Sequence, residues 1–251
     1  MNITLSRAQQ QAVDQLKSWY KSPDKKPVFR IFGYAGSGKS TIVTYALTEL
    51  GIGPHECGGE TGFLAATFTG KAALVMTRKG TPASTIHSLI YRVSEATKAE
   101  IDKLKKDIAE IKAKLPNLGP GERMPEESRL WSLELRLADI HKPKFVLNED
   151  SIVRDAKLIV LDEVSMVGEE MARDLLAFGK PILVLGDPGQ LPPIKGDGAF
   201  TRAPPDVMLT EIHRQAGESA IIRLATMARQ GQPIPHGEHD AHVWKMPRTR
   251  S

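Results

Sequence analysis

The sequence has a single cysteine, Cys57. That excludes an internal disulfide and any cysteine-based zinc site, and it fits a reducing compartment. No uninterrupted apolar run approaches the ~18–20 residues that a membrane-spanning helix needs. Met1 to Lys17 is polar and lacks the basic-then-apolar pattern of a secretory leader. These lacks predict a soluble, cytoplasmic chain with no membrane partner. There is no internal repeat and no low-complexity tract. Neither sign of charge dominates, with 34 Lys and Arg against 30 Asp and Glu for a net +4. That excess permits a polyanionic partner without identifying one. With 41% hydrophobic and 25% charged residues the chain is globular rather than disordered or collagen-like. Its 251 residues admit one large domain or two small ones, with a core that needs no covalent staple.

Apolar spacing gives the organisation. Leu5 to Leu16 reads as a helix capped by Ser6, with Val13, Leu16 and Tyr20 near helical spacing and an end at Pro23. Val28 to Phe32 is a short strand, and Thr41 to Leu50 a helix stopped by Gly51 and Gly53. Phe63 to Thr67 is a second strand, Lys71 to Arg78 a helix, and Ser84 to Arg92 a further helical stretch. Ile101, Leu104, Ile108, Ile111 and Leu115 then alternate steps of three and four, and Leu130, Leu133, Leu137 and Ile140 repeat the seam. With a Gly/Pro-rich turn over Pro116 to Pro125, residues Glu95 to His141 read as an antiparallel helical hairpin, either a solvated arm or a functional one. Leu158–Leu161, Ile182–Leu185 and Val207–Leu209 are apolar runs typical of strands buried on both faces of a parallel sheet. Ile221 to Arg229 is a last helix, and the chain from Gly231 onward reads as irregular. The fold class is α/β, with a mostly parallel sheet, helices on both faces and an inserted helical hairpin.

Two motifs carry the chemistry. Gly33-Tyr-Ala-Gly-Ser-Gly-Lys-Ser-Thr41 contains G-x-x-x-x-G-K-[ST], with a strand before it and a helix after. Backbone N–H groups of Gly33, Ala35, Gly36, Ser37, Gly38, Lys39, Ser40 and Thr41 can ring an anion at a helix N-terminus. Lys39 would reach the β- and γ-phosphates and Ser40 would ligate Mg²⁺. Leu158-Ile-Val-Leu-Asp-Glu163 places two carboxylates at the carboxyl end of a buried strand, the edge where open α/β sheets bind ligands. Asp162 would hold Mg²⁺ with Ser40, and Glu163 would polarise an attacking water. Together the motifs point to NTP hydrolysis. Gly186-Asp-Pro-Gly-Gln190 is a third element, read either as a turn shaped for geometry alone or as a loop whose Gln190 amide senses a γ-phosphate.

With these in place the chain resembles superfamily-one helicases, specifically the RecD/Dda-like branch. The resemblance runs through Leu5–Val13, Gly33–Thr41, Ala66–Ala73, Ser84–Leu89, Leu161–Val167, Gly186–Pro193 and Leu209–Gly231. It implies a RecA-like P-loop NTPase fold and 5′ to 3′ movement on DNA. It also implies that Gln9 reads adenine, so that ATP is the nucleotide, against a plain helix-surface glutamine. Gln190 matches the γ-phosphate sensor and Arg214 an arginine finger, against an ordinary surface arginine. Thr69 and Lys71, and Thr85 and His87, match two motifs that hold single-stranded DNA. The other readings there are a surface lysine and a satisfied helix histidine. Phe68 offers either a stacking face or a core side chain.

The helical hairpin stands where this branch inserts its small 1B subdomain, which carries a strand-separating pin in relatives. Here the insert is helical, so it is read as contacting duplex DNA or a partner protein instead. The expected division is a discontinuous ATPase domain over 1–92 and 146–230, the hairpin over 93–145 and a stub of a second domain over 231–251. A complete motor of this kind has a second RecA-like domain, so the expectation is a truncated chain or one completed by a partner, acting in a bacterial or phage-infected cell. A nucleotide- or DNA-binding module that does not translocate, and a P-loop kinase, are the competing readings.

Overall fold

The computed structural model describes residues 4–55, 61–140, 142, 144–190, 198–211 and 220–246. Cys57 and Arg214 lie outside the described residues. Helix α1 (Arg7–Lys21) starts at Ser6, whose Oγ accepts from the Gln9 N–H while the Gln9 side chain accepts from the Ser6 N–H, a reciprocal capping box. Its buried face is Gln9, Ala12, Val13, Leu16 and Trp19. Strand β1 (Val28–Gly33) feeds the phosphate loop, and α2 (Lys39–Glu49) follows it. Then come β2 (Phe63–Thr67), α3 (Gly70–Arg78) and β3 (Ala83–Thr85). After α4 (Ile86–Ile90) the chain runs through β4 (Tyr91–Ser94), α5 (Lys98–Lys114), α6 (Pro120–Asp139) and β5 (Lys144–Leu147). It continues with β6 (Leu158–Asp162), α7 (Glu169–Ala177), β7 (Ile182–Gly186) and β8 (Val207–Leu209). Helix α8 (Ala220–Arg229) and strands β9 (Gly237–Asp240) and β10 (Val243–Lys245) close the described chain. No described helix is long and apolar enough to cross a membrane.

The chain divides into two compact units, one formed by Met1–Ile90 with Asp150–Ser251 and the other by Tyr91–Glu149. The larger holds a six-stranded sheet in the order β3-β2-β6-β7-β1-β8, and every pairing in it is parallel. Leu158 and Val160 of β6 join one apolar cluster with α1 and α2 residues. Ile159 and Leu161, which point the other way, are also fully buried. Both faces of the strand are therefore covered, which explains why it reads as a continuous apolar run.

The smaller unit pairs α5 with α6. Leu104, Ile108 and Ile111 are the buried residues of α5, and Ile140 is buried just past α6, as the seam predicts. Lys112 Nζ lies 2.7 Å from Glu134 Oε1 between the two helices.

Four expectations need correction. The helix expected over Ser84–Arg92 is a five-residue turn of helix between strands β3 and β4, because Ala83–Thr85 pairs with β2 and Tyr91–Ser94 with β5. The hairpin turn is shorter than Pro116–Pro125. A 3₁₀ turn covers Leu115–Asn117, α6 starts with Pro120 in its first turn, where a missing N–H costs nothing, and Pro125 lies inside α6. The insert is not purely helical, since β4 and β5 form an antiparallel ribbon at its ends. Residues beyond Gly231 are not irregular, since β9 and β10 pair antiparallel through a bulge.

Candidate functional site

Strand β7 lies between β1 and β6, with Phe32 beside Gly186 and Leu161 beside Val184. The phosphate loop after β1, the Asp187–Gln190 turn after β7 and the acidic pair after β6 therefore leave one sheet edge side by side. Adjacent strands are ~4.8 Å apart, so the loop and the carboxylates are separated by about two strand spacings, ~10 Å. That gap suits terminal phosphates and an attacking water.

The loop is built by close approach. A Cβ on Gly33 would meet Ser37 Oγ at 2.6 Å and the Leu209 backbone oxygen at 2.9 Å, so only glycine fits. Gly36 and Gly38 both have φ of 83°, the left-handed region that turns N–H groups inward. Lys39 Nζ donates to the carbonyls of Gly33 (2.6 Å) and Tyr34 (3.2 Å), so it is folded back over its own loop. Burial lowers the Lys39 pKa, opposed by the charges of Asp187 and Asp162. Ser37 Oγ is buried without a hydrogen-bond partner among the described residues. An orphaned hydroxyl inside a loop of inward N–H groups fits an anion that would bond it.

Gln9 is buried at 5% exposure rather than lying on a helix surface. Its Oε1 accepts from the Ser6 N–H at 3.0 Å, and its Nε2 lies 3.5 Å from the Ser37 carbonyl. It ties α1 to the phosphate loop.

Asp162 ends β6, and its Oδ1 accepts from the Glu163 N–H at 2.9 Å. Burial pushes the Asp162 carboxyl up, while that N–H and the charges of Lys39 and Lys79 pull it back. Glu163 has φ 55° and ψ 48°, and it is the one non-glycine described residue at positive φ. This strained corner leaves Glu163 exposed and sends Val164 and Ser165 inward. Ser40, Thr69, Lys71, Asp162 and Glu163 line a common cavity of ≈ 280 Å³.

The Asp187 turn is held by the Gly189 N–H donating to Asp187 Oδ1 at 2.8 Å and the Gln190 N–H donating to the Asp187 carbonyl at 3.1 Å. Ser165 Oγ donates to Gln190 Oε1 at 3.0 Å. With Oε1 held by this bond, Nε2 is available as a donor. Sequence reading missed Ser165, whose only signal was its place in Asp-Glu-Val-Ser.

The residues matched to DNA motifs gather at the carboxyl ends of β2 and β3, where Thr67 pairs with both Thr85 and Asp162. Thr69 caps α3, its Oγ accepting from the Ala72 N–H at 3.3 Å, and Thr67 Oγ1 donates to the Thr69 carbonyl at 2.8 Å. Thr85 Oγ1 donates to Ser88 Oγ at 2.9 Å. Phe68 and His87 meet edge to face with ring centroids 6.1 Å apart. Thr69, Lys71 and His87 are exposed, and Phe68 and Thr85 are half-buried.

The family profile described as an AAA domain matches residues 4–242. The ATP-dependent RecD2 DNA helicase of Deinococcus radiodurans is 36% identical over 87 residues, which is 32% of this chain and 12% of that relative. This chain thus spans only a small part of that curated relative's length. Among solved structures, Bacteroides sp Pif1 in complex with ADP-AlF4 is similar over 93% of this chain and 48% of its own, with TM-score 0.46 and 20% identity. AMPPCP-bound DnaA from Aquifex aeolicus is similar over 93% and 56%, with TM-score 0.34 and 11% identity.

Proposed function

This chain belongs to the AAA domain family, with a helicase-like P-loop ATPase fold, and on that premise we propose that it is the ATP-hydrolysing motor domain of a RecD/Dda-like 5′ to 3′ DNA helicase acting in the cytoplasm. The observation that carries this reading is the convergence of three loops on one sheet edge. Each holds a group suited to a different part of a bound triphosphate. In this reading the N–H groups from Gly33 to Thr41 and the Ser37 hydroxyl cradle the phosphates. Lys39 exchanges its two carbonyl partners for phosphate oxygens, and Gln9 reads the adenine edge. Ser40 and Asp162 hold Mg²⁺, which when bound neutralises charge on the β- and γ-phosphates. Mg²⁺ keeps most of its waters and takes one or two protein ligands, so a hydroxyl and one carboxylate suffice.

The reaction then follows from position. A water oxygen attacks the γ-phosphorus, and the bond from that phosphorus to the β–γ bridging oxygen breaks. ADP leaves with the electron pair, and Glu163 takes the proton that the water loses. Gln190 donates its Nε2 to the γ-phosphate, and Arg214 supplies transition-state charge. Glu163 serves a water, which favours hydrolysis over transfer to a small acceptor.

Single-stranded DNA is the proposed second ligand. Thr69, Thr85 and the N–H groups opening α3 face phosphates, Lys71 neutralises one, and Phe68 with His87 offers a ring platform for a base. Support comes from their shared edge with Asp162, one strand spacing away through the pairing of Thr67. We take the units as an ATPase domain and an inserted arm that contacts duplex DNA or a partner protein. Translocation needs a second RecA-like domain, supplied by a partner or by further chain.

The test is ATP turnover of the 251-residue chain with and without single-stranded DNA. Turnover stimulated by DNA is expected. Tight ATP binding with no turnover in either condition would replace this reading with that of a nucleotide-binding module.

A further inference from the structure

None of the roles above uses Arg229, which lies near the end of α8. Its guanidinium carbon stands 3.8 Å from the centroid of the Tyr34 ring, so it stacks on the second residue of the phosphate loop. The same side chain passes along the Asp187–Gln190 turn. A Cβ placed on Gly189 would sit 3.6 Å from Arg229 Nε and 3.8 Å from its Cδ, which puts the side chain at van der Waals distance from this turn. One exposed arginine thus bridges the phosphate loop and the turn carrying Gln190.

The Arg229 head group is exposed to solvent. A guanidinium has five N–H donors and no acceptor. Among the described residues no carboxylate or carbonyl is bonded to it, and the Tyr34 face is its one partner. Stacking on an aromatic ring fixes the plane of the fork while leaving its edge free for a second ligand. Its two neighbours are Tyr34, whose carbonyl holds Lys39 Nζ, and Gly189, which precedes Gln190. These are the two elements that address the terminal phosphate. A planar cationic fork held beside an anion cradle suits a phosphate.

We propose that Arg229 is a phosphate ligand of the nucleotide, entering between Tyr34 and Gly189 at the terminal-phosphate end of the loop and held ready by its stack on Tyr34. The inference rests on the ATP-binding reading above and adds a ligand to that site. Because ATP presents a γ-phosphate there and ADP does not, Arg229 discriminates between them.

The test measures displacement of a fluorescent ADP from the full chain by ADP and by ATPγS, with Mg²⁺ present. Arg229→Ala is expected to weaken ATPγS by about tenfold and ADP by less than about threefold, the scale of one charge-assisted contact. Arg229→Lys keeps an aliphatic shaft against Tyr34, and so guards against loss of fold. It loses the bidentate fork, and its ATPγS affinity should fall at least about threefold. Tyr34→Phe keeps the ring face and should match the wild type. Equal weakening of both nucleotides, or no weakening of either in a folded Arg229→Lys variant, would overturn the assignment. A wild-type chain that binds neither nucleotide would sink the ATP reading and this inference together. Normal wild-type binding with unchanged Arg229 variants would sink this one alone.

Discussion

Glu163, which we propose as the general base, holds a left-handed backbone conformation with φ 55° and ψ 48°. For a residue with a Cβ that conformation costs roughly 1–2 kcal/mol. Glycine removes the cost, but its looser unfolded chain returns about 0.4–1 kcal/mol. The side chain is exposed, so little packing is lost. The Glu163 N–H that bonds Asp162 Oδ1 at 2.9 Å is retained in any variant. The midpoints of these two ranges leave Glu163→Gly more stable by a net ~0.8 kcal/mol. At ~2–4 °C per kcal/mol for a chain of this size, the melting temperature should rise by about 1–4 °C. Glu163→Gln keeps the Cβ and the strain, so it should melt within about 1 °C of the wild type. Both variants should lose ATP turnover and keep nucleotide binding. Thermal unfolding followed by circular dichroism, alongside a phosphate-release assay, reads both properties. If Glu163→Gly melts at or below Glu163→Gln, no strain is stored at this corner. If either variant turns over ATP at the wild-type rate, the base lies elsewhere.

Lys39→Ala should weaken ATP binding at least about tenfold, since a charge-assisted phosphate contact is lost, and unchanged affinity would count against the loop assignment. Ser165→Ala removes a hydrogen bond of ~0.5–1.5 kcal/mol and lets the Gln190 amide turn over. Turnover should fall a few-fold with ADP affinity intact and recover in Ser165→Thr, and a further loss when it is added to Gln190→Ala would refute the coupling. Burial raises Asp162, so the folded chain binds more protons than the unfolded chain in the window above the ordinary 3.8. Stability contributed by that proton is present below the unfolded pKa and lost as pH rises through the folded one. Mg²⁺-dependent ATP binding should move oppositely, weakening as pH falls toward the raised pKa, and a titration equally steep in Asp162→Asn would refute the metal role. Affinity for single-stranded DNA should fall with salt, and Lys71→Ala should flatten the log–log slope by about 0.7, whereas an unchanged slope removes Lys71 from the interface.

Much of this fold is legible in the sequence because its signals are local. The phosphate loop announces itself through glycines that the backbone requires, at Gly33 by contact and at Gly36 and Gly38 by conformation. Strands β2, β6 and β7 are apolar because both faces are covered, and their limits fall within one residue of those expected. What escapes is short and paired at a distance. Ala83–Thr85 has only three residues and becomes a strand because β2 lies beside it. Tyr91–Ser94 finds its partner at Lys144–Leu147, across the whole hairpin. The site divides in the same way. Lys39, Ser40, Asp162 and Glu163 are proposed from motifs, whereas Ser165 and Arg229 are proposed from what they touch, Gln190 and Tyr34. No periodicity or spacing carries such contacts.

The ribbon of β4 and β5 pairs Ser94 directly with Lys144. Everything between those two positions leaves and rejoins the chain across a single strand spacing. A two-residue turn could close that gap as well as two helices do. The arm is therefore an interchangeable attachment. Its length and its exposed residues, Met124 and Trp131 among them, can change without altering the pairing of Ser94 with Lys144.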